Sequence, residues 1–300
     1  MKKKTYLFAL MAMVLTLGSC SDNENGIGGE TSKYITVSTS IGNMTRVATD
    51  EKGGQTFEEG DEISVYAWTG DATVAPETRD RVVNNANNKL TNGSWVSTPQ
   101  MLWKNNRDKH YFIGVYPTAA ISDLSAGEYT FDETKQVESD LLVAVNKDGL
   151  SYNVDEQQTV PLTFTHVMAK LAVNLTYKNQ WGGIPTVEKV VVGNAAKEAT
   201  INYLTKVVTP STTAKEDFSL PEITENTKYV SVIIPQEDVK QLTIVIGGKN
   251  FVYDNGTPFK LESGKITTVN LEVGRDEIKL GDVKITDWEN GSTFSGEALN

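Results

Sequence analysis

The chain is predicted to be all-β and built of β-sandwiches, on three observations. From residue 34 onward, apolar and polar residues alternate along short segments, the period of a half-buried strand. These segments recur about every 10 to 25 residues, with Gly, Asn, Asp and Pro between them. No long stretch carries a clean helical period, so a parallel sheet, which needs crossover helices, has no material to build from.

Ile35, Val37 and Thr39 share one face of a first strand, read as Ile35 to Met44. Ile63, Val65 and Ala67 repeat the pattern, with Tyr66 and Trp68 on the opposite face. Residues 111–116 form a buried-type strand stopped by Pro117, and 141–145 is a continuous apolar run. Leu162 to Thr165 alternates, then Leu171, Val173, Leu175 and Tyr177. In the second half, 187–192, 199–204, 229–234, 242–246, 251–253, 267–273 and 283–285 read as strands. Gly247-Gly248-Lys249-Asn250 and Asp254-Asn255-Gly256 are turn signals. Glu133 to Leu142 is a weak helix candidate, and Asn146 to Gly149 is read as a hairpin turn.

The N-terminus reads as an export signal. Lys2, Lys3 and Lys4 precede an apolar run from Tyr6 to Leu17, too short for a spanning helix, which needs about 20 residues. The run ends Leu17-Gly18-Ser19-Cys20. Small residues suit a signal-peptidase cleft, and the thiol of Cys20 can carry a diacylglyceryl thioether. No other cysteine is present, so a disulfide framework is excluded. Residues 21–30 are acidic and glycine-rich, a tether that cannot offset its ordering entropy by burial. That acidic stretch is either a plain spacer or a surface-export signal of the kind found in some Gram-negative lipoproteins.

The expected organisation is a lipoprotein signal peptide over 1–19, a tether over 20–33, an N-terminal sandwich over 34–180 and a C-terminal sandwich over 181–300. The boundary between the sandwiches rests on residues 179–185, Asn-Gln-Trp-Gly-Gly-Ile-Pro, where two glycines and a proline break the strand pattern. The net charge is −11. Removing residues 1–19 takes away three lysines and no acid, leaving 25 basic against 39 acidic side chains, or −14. Such a surface excludes nucleic acid as a natural partner.

Catalytic sets are scarce. The chain has two histidines, His110 and His166, and no G-x-S-x-G, P-loop or C-x-x-C. On one strand face His166 and Lys170 would stand about 13 Å apart, too far for an acid–base couple, so both histidines read as structural. Asn146 to Gly149 with Asp155 is a poor calcium loop, because Ala144 stands where the first acid belongs. No enzyme, cofactor or metal is expected. Trp68, Trp103 and Trp288 sit in or beside strand patterns, where core packing is the default. Arg46 follows the first strand and opens a polar stretch, an easy cut for a trypsin-like protease.

Several segments together are similar to one known family. They are Thr45-Arg46, Phe57 to Trp68, Trp103, Tyr111 to Pro117, Asp140 to Ala144, Leu162 to Leu171, Ile233 to Gln236, Leu261 to Lys265 and Ile285 to Trp288. In order and spacing they resemble the Mfa-like branch of the fimbrillin family, lipoproteins of type V pili. The resemblance implies two tandem transthyretin-like Greek-key sandwiches. It also implies export to the outer membrane on a lipid at Cys20, then cleavage between Arg46 and Val47 by an arginine-specific protease. Loss of the first strand would open a groove for a strand donated by the next fimbrillin subunit. The donor would be Ile278 to Ile285 or the tail beyond Trp288. Stalk, anchor and tip roles stay open. The alternative is a glycan-binding lipoprotein that stays on its anchor and uses exposed tryptophans; a secreted hydrolase is the third reading.

Overall fold

A computed structural model of the protein describes residues 33–42, 56–156, 158–254 and 256–288. Cys20, Arg46, Val47 and the tether up to residue 32 lie outside the described residues. Within them the chain forms nineteen strands and two short 3-10 turns, so it is all-β as its alternation predicts.

The N-terminal strands are β1 (Thr36–Ile41), β2 (Glu62–Thr69), β3 (Arg81–Thr91), β4 (Ser94–Thr98), β5 (His110–Tyr116), β6 (Gly127–Thr130), β7 (Leu142–Leu150) and β8 (Thr159–His166). The chain continues through β9 (Ala169–Tyr177), β10 (Lys189–Ala196), β11 (Glu198–Asn202), β12 (Val207–Pro210), β13 (Lys215–Leu220) and β14 (Glu222–Thr224). It ends with β15 (Lys228–Ile233), β16 (Gln241–Ile246), β17 (Lys249–Asp254), β18 (Lys265–Val273) and β19 (Ile278–Asp287).

Seven strands make one sheet in the order β1-β8-β7-β5-β2-β3-β4. The sheet curls so that β1 returns toward the β3–β4 end: Ile35 N–H donates to Met101 O (2.9 Å) and Trp103 N–H to Lys33 O (3.2 Å). Inside the curl lies a core of Ile63, Val65 and Ala67 from β2, Phe112 from β5, Leu162 and Phe164 from β8, Val37 and Ile41 from β1, and Ile35 just before it. The opposite face of β2 is buried as well. Tyr66 and Trp68 join a second core, and the Tyr66 hydroxyl accepts from Ile121 N–H (2.9 Å), drawing the 117–125 loop under the sheet. Both faces of β2 are therefore closed, which explains its nearly unbroken burial.

The second core fills the space between a four-stranded sheet, β13-β10-β16-β17, and a five-stranded sheet, β14-β15-β9-β18-β19. A small sheet, β12-β11-β6, bridges the two halves, because β6 comes from the first and β11 from the second. Gly247 and Gly248, both at positive φ (57° and 72°), make the two-residue β16–β17 hairpin that the sequence predicts. Paired left-handed residues match the twist of the flanking strands.

Three expectations change. The hydrogen-bonded sheets change hands at Val167–Met168 and not at 179–185. β9, assigned by the 34–180 division to the N-terminal sandwich, lies between β15 and β18 in the C-terminal sheet. Pairing partners decide sheet membership, and a glycine-rich break in the pattern marks only a loop. Residues 133–139 form hydrogen-bonded turns instead of a helix. Asn146 to Gly149 is not a turn tip but part of β7, which runs on to pair Leu150 with His110. Asn146 Oδ1 accepts from Gly149 N–H (3.1 Å), and Gly149 takes positive φ (68°), so the strand absorbs the irregularity without reversing.

Candidate functional site: the first and last strands

β1 is an edge strand whose ladder runs along one side, while residues 33–35 just before it bond to Met101 and Trp103 on the other. It runs parallel to β8 in the register Thr36↔Thr159 to Ile41↔Phe164. Parallel pairing fits a strand that arrives after a long connection and not through a hairpin. Its inward side chains are Ile35, Val37 and Ile41, all buried, while Ser38 and Ser40 face solvent. Thr39 shares the inward parity and meets a polar partner, since Trp95 Nε1–H donates to its hydroxyl at 3.0 Å. The groove beneath β1 thus presents apolar contacts at three positions and one hydrogen bond at the fourth.

Aromatic rings form the floor and rim. Phe164 is fully buried on β8. Phe57 stands edge-on to Phe164 (5.1 Å between centroids), Trp95 (5.3 Å) and Tyr116 (5.4 Å). Such T-shaped pairs add about 0.5–1.5 kcal/mol each beyond area burial. Burial and the nearby Asp61 push the Tyr116 phenol up to about 12, so the rim stays neutral over the physiological range.

β19 is the counterpart at the other end of the chain. It pairs antiparallel with β18 from Lys265↔Asp287 to Val273↔Ile278, with a bulge at Gly281-Asp282. Asn270 Nδ2 donates to Asp282 Oδ1 across the bulge (2.6 Å). The bulge matters because side chains alternate with a strict period of two. It brings Ile278, Leu280, Val283 and Ile285 onto one face, opposite Val273, Leu271, Val269 and Thr267. Those β18 residues are buried, whereas Leu280, Val283 and Ile285 remain 37–41% exposed. The strand carries a core-type apolar row that the fold leaves half uncovered.

The chain just past β19 is anchored in depth. Trp288 is buried, and its N–H donates to Gly264 O (3.0 Å). Its ring stacks on the imidazole of His166 (4.0 Å between centroids, 6° between planes). His166 Nδ1 is 2.7 Å from Asp140 Oδ1. The Lys170 ammonium lies 4.1 Å from the indole centroid. His166 and Lys170, whose separation argued against an acid–base pair, each meet the Trp288 ring. His110 is buried and structural: its Nε2 accepts from Lys104 N–H (3.0 Å), and its Nδ1–H reaches Asp108 O (3.1 Å). Burial lowers its basicity.

Burial of Lys170 brings its pKa from the ordinary 10.5 to about 8, with Asp140 opposing the shift. Below about pH 8 the folded and unfolded chains are both protonated there, and the fold carries the cost of a buried ammonium. Between about 8 and 10.5 the unfolded state binds the extra proton, so this contribution to stability rises with pH. Lys170→Met is therefore expected to stabilise the protein at pH 7 by about 1 kcal/mol. That advantage should shrink as the pH passes 8, measured as the difference between the two urea midpoints at each pH. A constant difference across that range would contradict the buried-ammonium account.

The five tryptophans offer no sugar platform. Trp68, Trp103 and Trp288 are buried, and Trp95 and Trp181 are half-buried, each donating its indole N–H inward. Among the described residues no group of three or more His, Cys, Asp or Glu is placed to hold a metal ion.

A fimbrillin-like family model matches residues 45–288, from just before Arg46 to the Trp288 anchor, leaving β1 outside the match. A curated protein of Bacteroides uniformis named "Putative fimbrium subunit Fim1C" is 25% identical over 329 residues, covering 99% of this chain and all of that protein. Two crystal structures share the fold. A "putative cell adhesion protein" from Bacteroides ovatus aligns over 85% of this chain and 98% of its own, with TM-score 0.64 and 18% identity. Another so described, from Bacteroides uniformis, aligns over 87% and 98%, with TM-score 0.63 and 19% identity. The family comprises structural subunits of fimbriae and not enzymes. With most of its described length inside that match, the chain belongs to the fimbrillin-like family.

Proposed function

We propose that this protein is an adhesive subunit of a surface fimbria, delivered to the outer membrane by a lipid on Cys20 and assembled by strand exchange. An arginine-specific protease cuts between Arg46 and Val47. Residues up to Arg46, including Cys20 and β1, then depart, and the groove over Phe164 and Trp95 takes a strand from the next subunit. β19 is the donor. The observation that carries this reading is the complementary state of the two edge strands. β1 is held over a groove of alternating pockets, and β19 shows two period-two apolar pairs, Ile278/Leu280 and Val283/Ile285, joined by the Gly281-Asp282 bulge and covered only in part by its own fold. An open groove is a strand-binding template, and alternate apolar side chains are what fill its pockets. The residues beyond Trp288 contain Phe294 and Leu299 as their only large apolar side chains, which favours β19 over the tail.

The test is direct. Full-length protein is incubated with an arginine-specific protease and the products are sequenced from the N-terminus. Val47 is expected as the new first residue, with oligomers forming only in chains that retain residues 278–288. An intact chain, or oligomers that persist without β19, would overturn the mechanism.

The rival reading, a glycan-binding lipoprotein fixed to its anchor, lacks its required feature. No tryptophan is exposed, and the broad depression on the β12-β11-β6 sheet is lined mainly by Glu, Thr and Ser.

A further inference from the structure

β8 touches both strands that the proposed exchange would move. Along one edge it carries β1, up to the pair Ile41↔Phe164 and the Gly42 N–H bond to Phe164 O (2.8 Å). Two residues beyond Phe164 the strand ends at His166, whose ring lies flat on Trp288. The crossover that follows adds more links. Ser263 Oγ donates to Val167 O (2.9 Å), Gly264 N–H donates to Met168 O (2.8 Å), and Gly264 O accepts from Trp288 N–H (3.0 Å). Asp140, at the start of the β7 run beside β8, fixes the imidazole from the other side. Apart from this corner, the partly buried Ile278 and a contact with β17, β19 is held by its ladder with β18 and by exposed ion pairs such as Lys265–Asp287.

We infer that Trp288 and His166 form a clasp that couples the last strand to the first. While β1 occupies its groove, β8 stays in register, His166 stays against Trp288, and β19 is parked on β18. Loss of β1 leaves β8 as an unsupported edge, the stack loosens, and β19 becomes free to leave. Donor release is then conditional on excision, and uncut precursors do not polymerise prematurely. This inference rests on the strand-exchange reading of β1 and β19 and adds its regulation. Coupling between two sites is reciprocal, so loosening either strand must loosen the other, and the clasp assigns that effect to the stack.

The coupling is measurable in the intact chain by hydrogen exchange of the β19 amides, with no protease present. Ile41→Ala weakens β1 at its end beside Phe164. It is expected to speed exchange across 278–287 by about fivefold or more when Trp288 is present. In a Trp288→Ala chain β19 already exchanges faster, and adding Ile41→Ala should change it by no more than about twofold. Trp288→Phe, which keeps a stacking ring, should retain the coupling. Protected β2 and β5 amides mark the chains as folded, and Val37→Ala gives a smaller truncation read in the same way. If β19 exchange ignores both β1 truncations, or responds equally with and without Trp288, the clasp is wrong. The outcome separates from the parent reading. Coupling without cleavage at Arg46 would leave the clasp standing and sink excision; cleavage and assembly without coupling would do the reverse.

Discussion

A chain beginning at Val47 is expected to lose about 5 kcal/mol of stability, because fully burying an Ile or Val side chain is worth about 1.5–3 kcal/mol and three such side chains leave with β1. Ile35, Val37 and Ile41 are each at most 9% exposed, and their removal uncovers Val160, Leu162 and Phe164 on β8 together with Met101 and Trp103. Set against typical domain stabilities of about 5–15 kcal/mol, this is a large fraction. The hydrogen bonds of β1 contribute less, since the freed β8 groups turn to water. A synthetic peptide spanning 34–44 should restore most of the loss when added in excess, because it supplies the same side chains in the same register. Urea unfolding followed by tryptophan fluorescence measures both effects. An unchanged midpoint on truncation would mean that β1 is an accessory strand and that no groove exists beneath it.

Phe164→Ala is expected to cost about 3–5 kcal/mol, the range for emptying a buried aromatic site. The site cannot collapse easily. Phe164 lies against Gly114 so closely that a Cβ there would stand 2.6 Å from its ring, and Phe57 seals it from the rim. The backbone of β5 is already at contact distance, and both flanking strands are fixed by their ladders. The substitution also removes the floor under Ile41, so β1 should be cut away or exchange faster than in the parent. Calorimetric unfolding gives the first quantity, and hydrogen exchange over 36–41 gives the second. A loss below about 1 kcal/mol would show that the groove floor relaxes, contrary to the close packing of protein interiors.

The strands around this groove also differ in how plainly the sequence marks them. β2, β5, β9 and β18 are legible because long apolar or alternating runs reflect their central positions. Phe164 is legible as part of an alternating strand. β3 is not, since the bulge near Asn85, which has φ of 54°, interrupts its period, and its buried positions include Arg81 and Asn88. β4, β6, β12 and β14 are short, polar and peripheral, so they bury too little to mark the sequence, and β13 buries only Phe218 and Leu220 at its end. The bulge at Gly281-Asp282 has the same character. Read by strict alternation, Ile278 and Leu280 fall on one face of β19 and Val283 and Ile285 on the other; only the register with β18 unites them.

By itself the sequence determined the all-β class, the position of most core strands, the kinship with fimbrillins and the expectation that catalysis has no residues to work with. Each of these is written in local periodicity, composition or ordered motifs, which survive without coordinates. Tertiary structure alone decided which strands pair, that β9 belongs with β18, that the groove under β1 holds three apolar contacts and one hydrogen bond, and that His166, Lys170 and Trp288 meet. Contacts between residues far apart in the chain depend on how strands are stacked, and alternation fixes only the face on which each residue stands, never the neighbour it finds there.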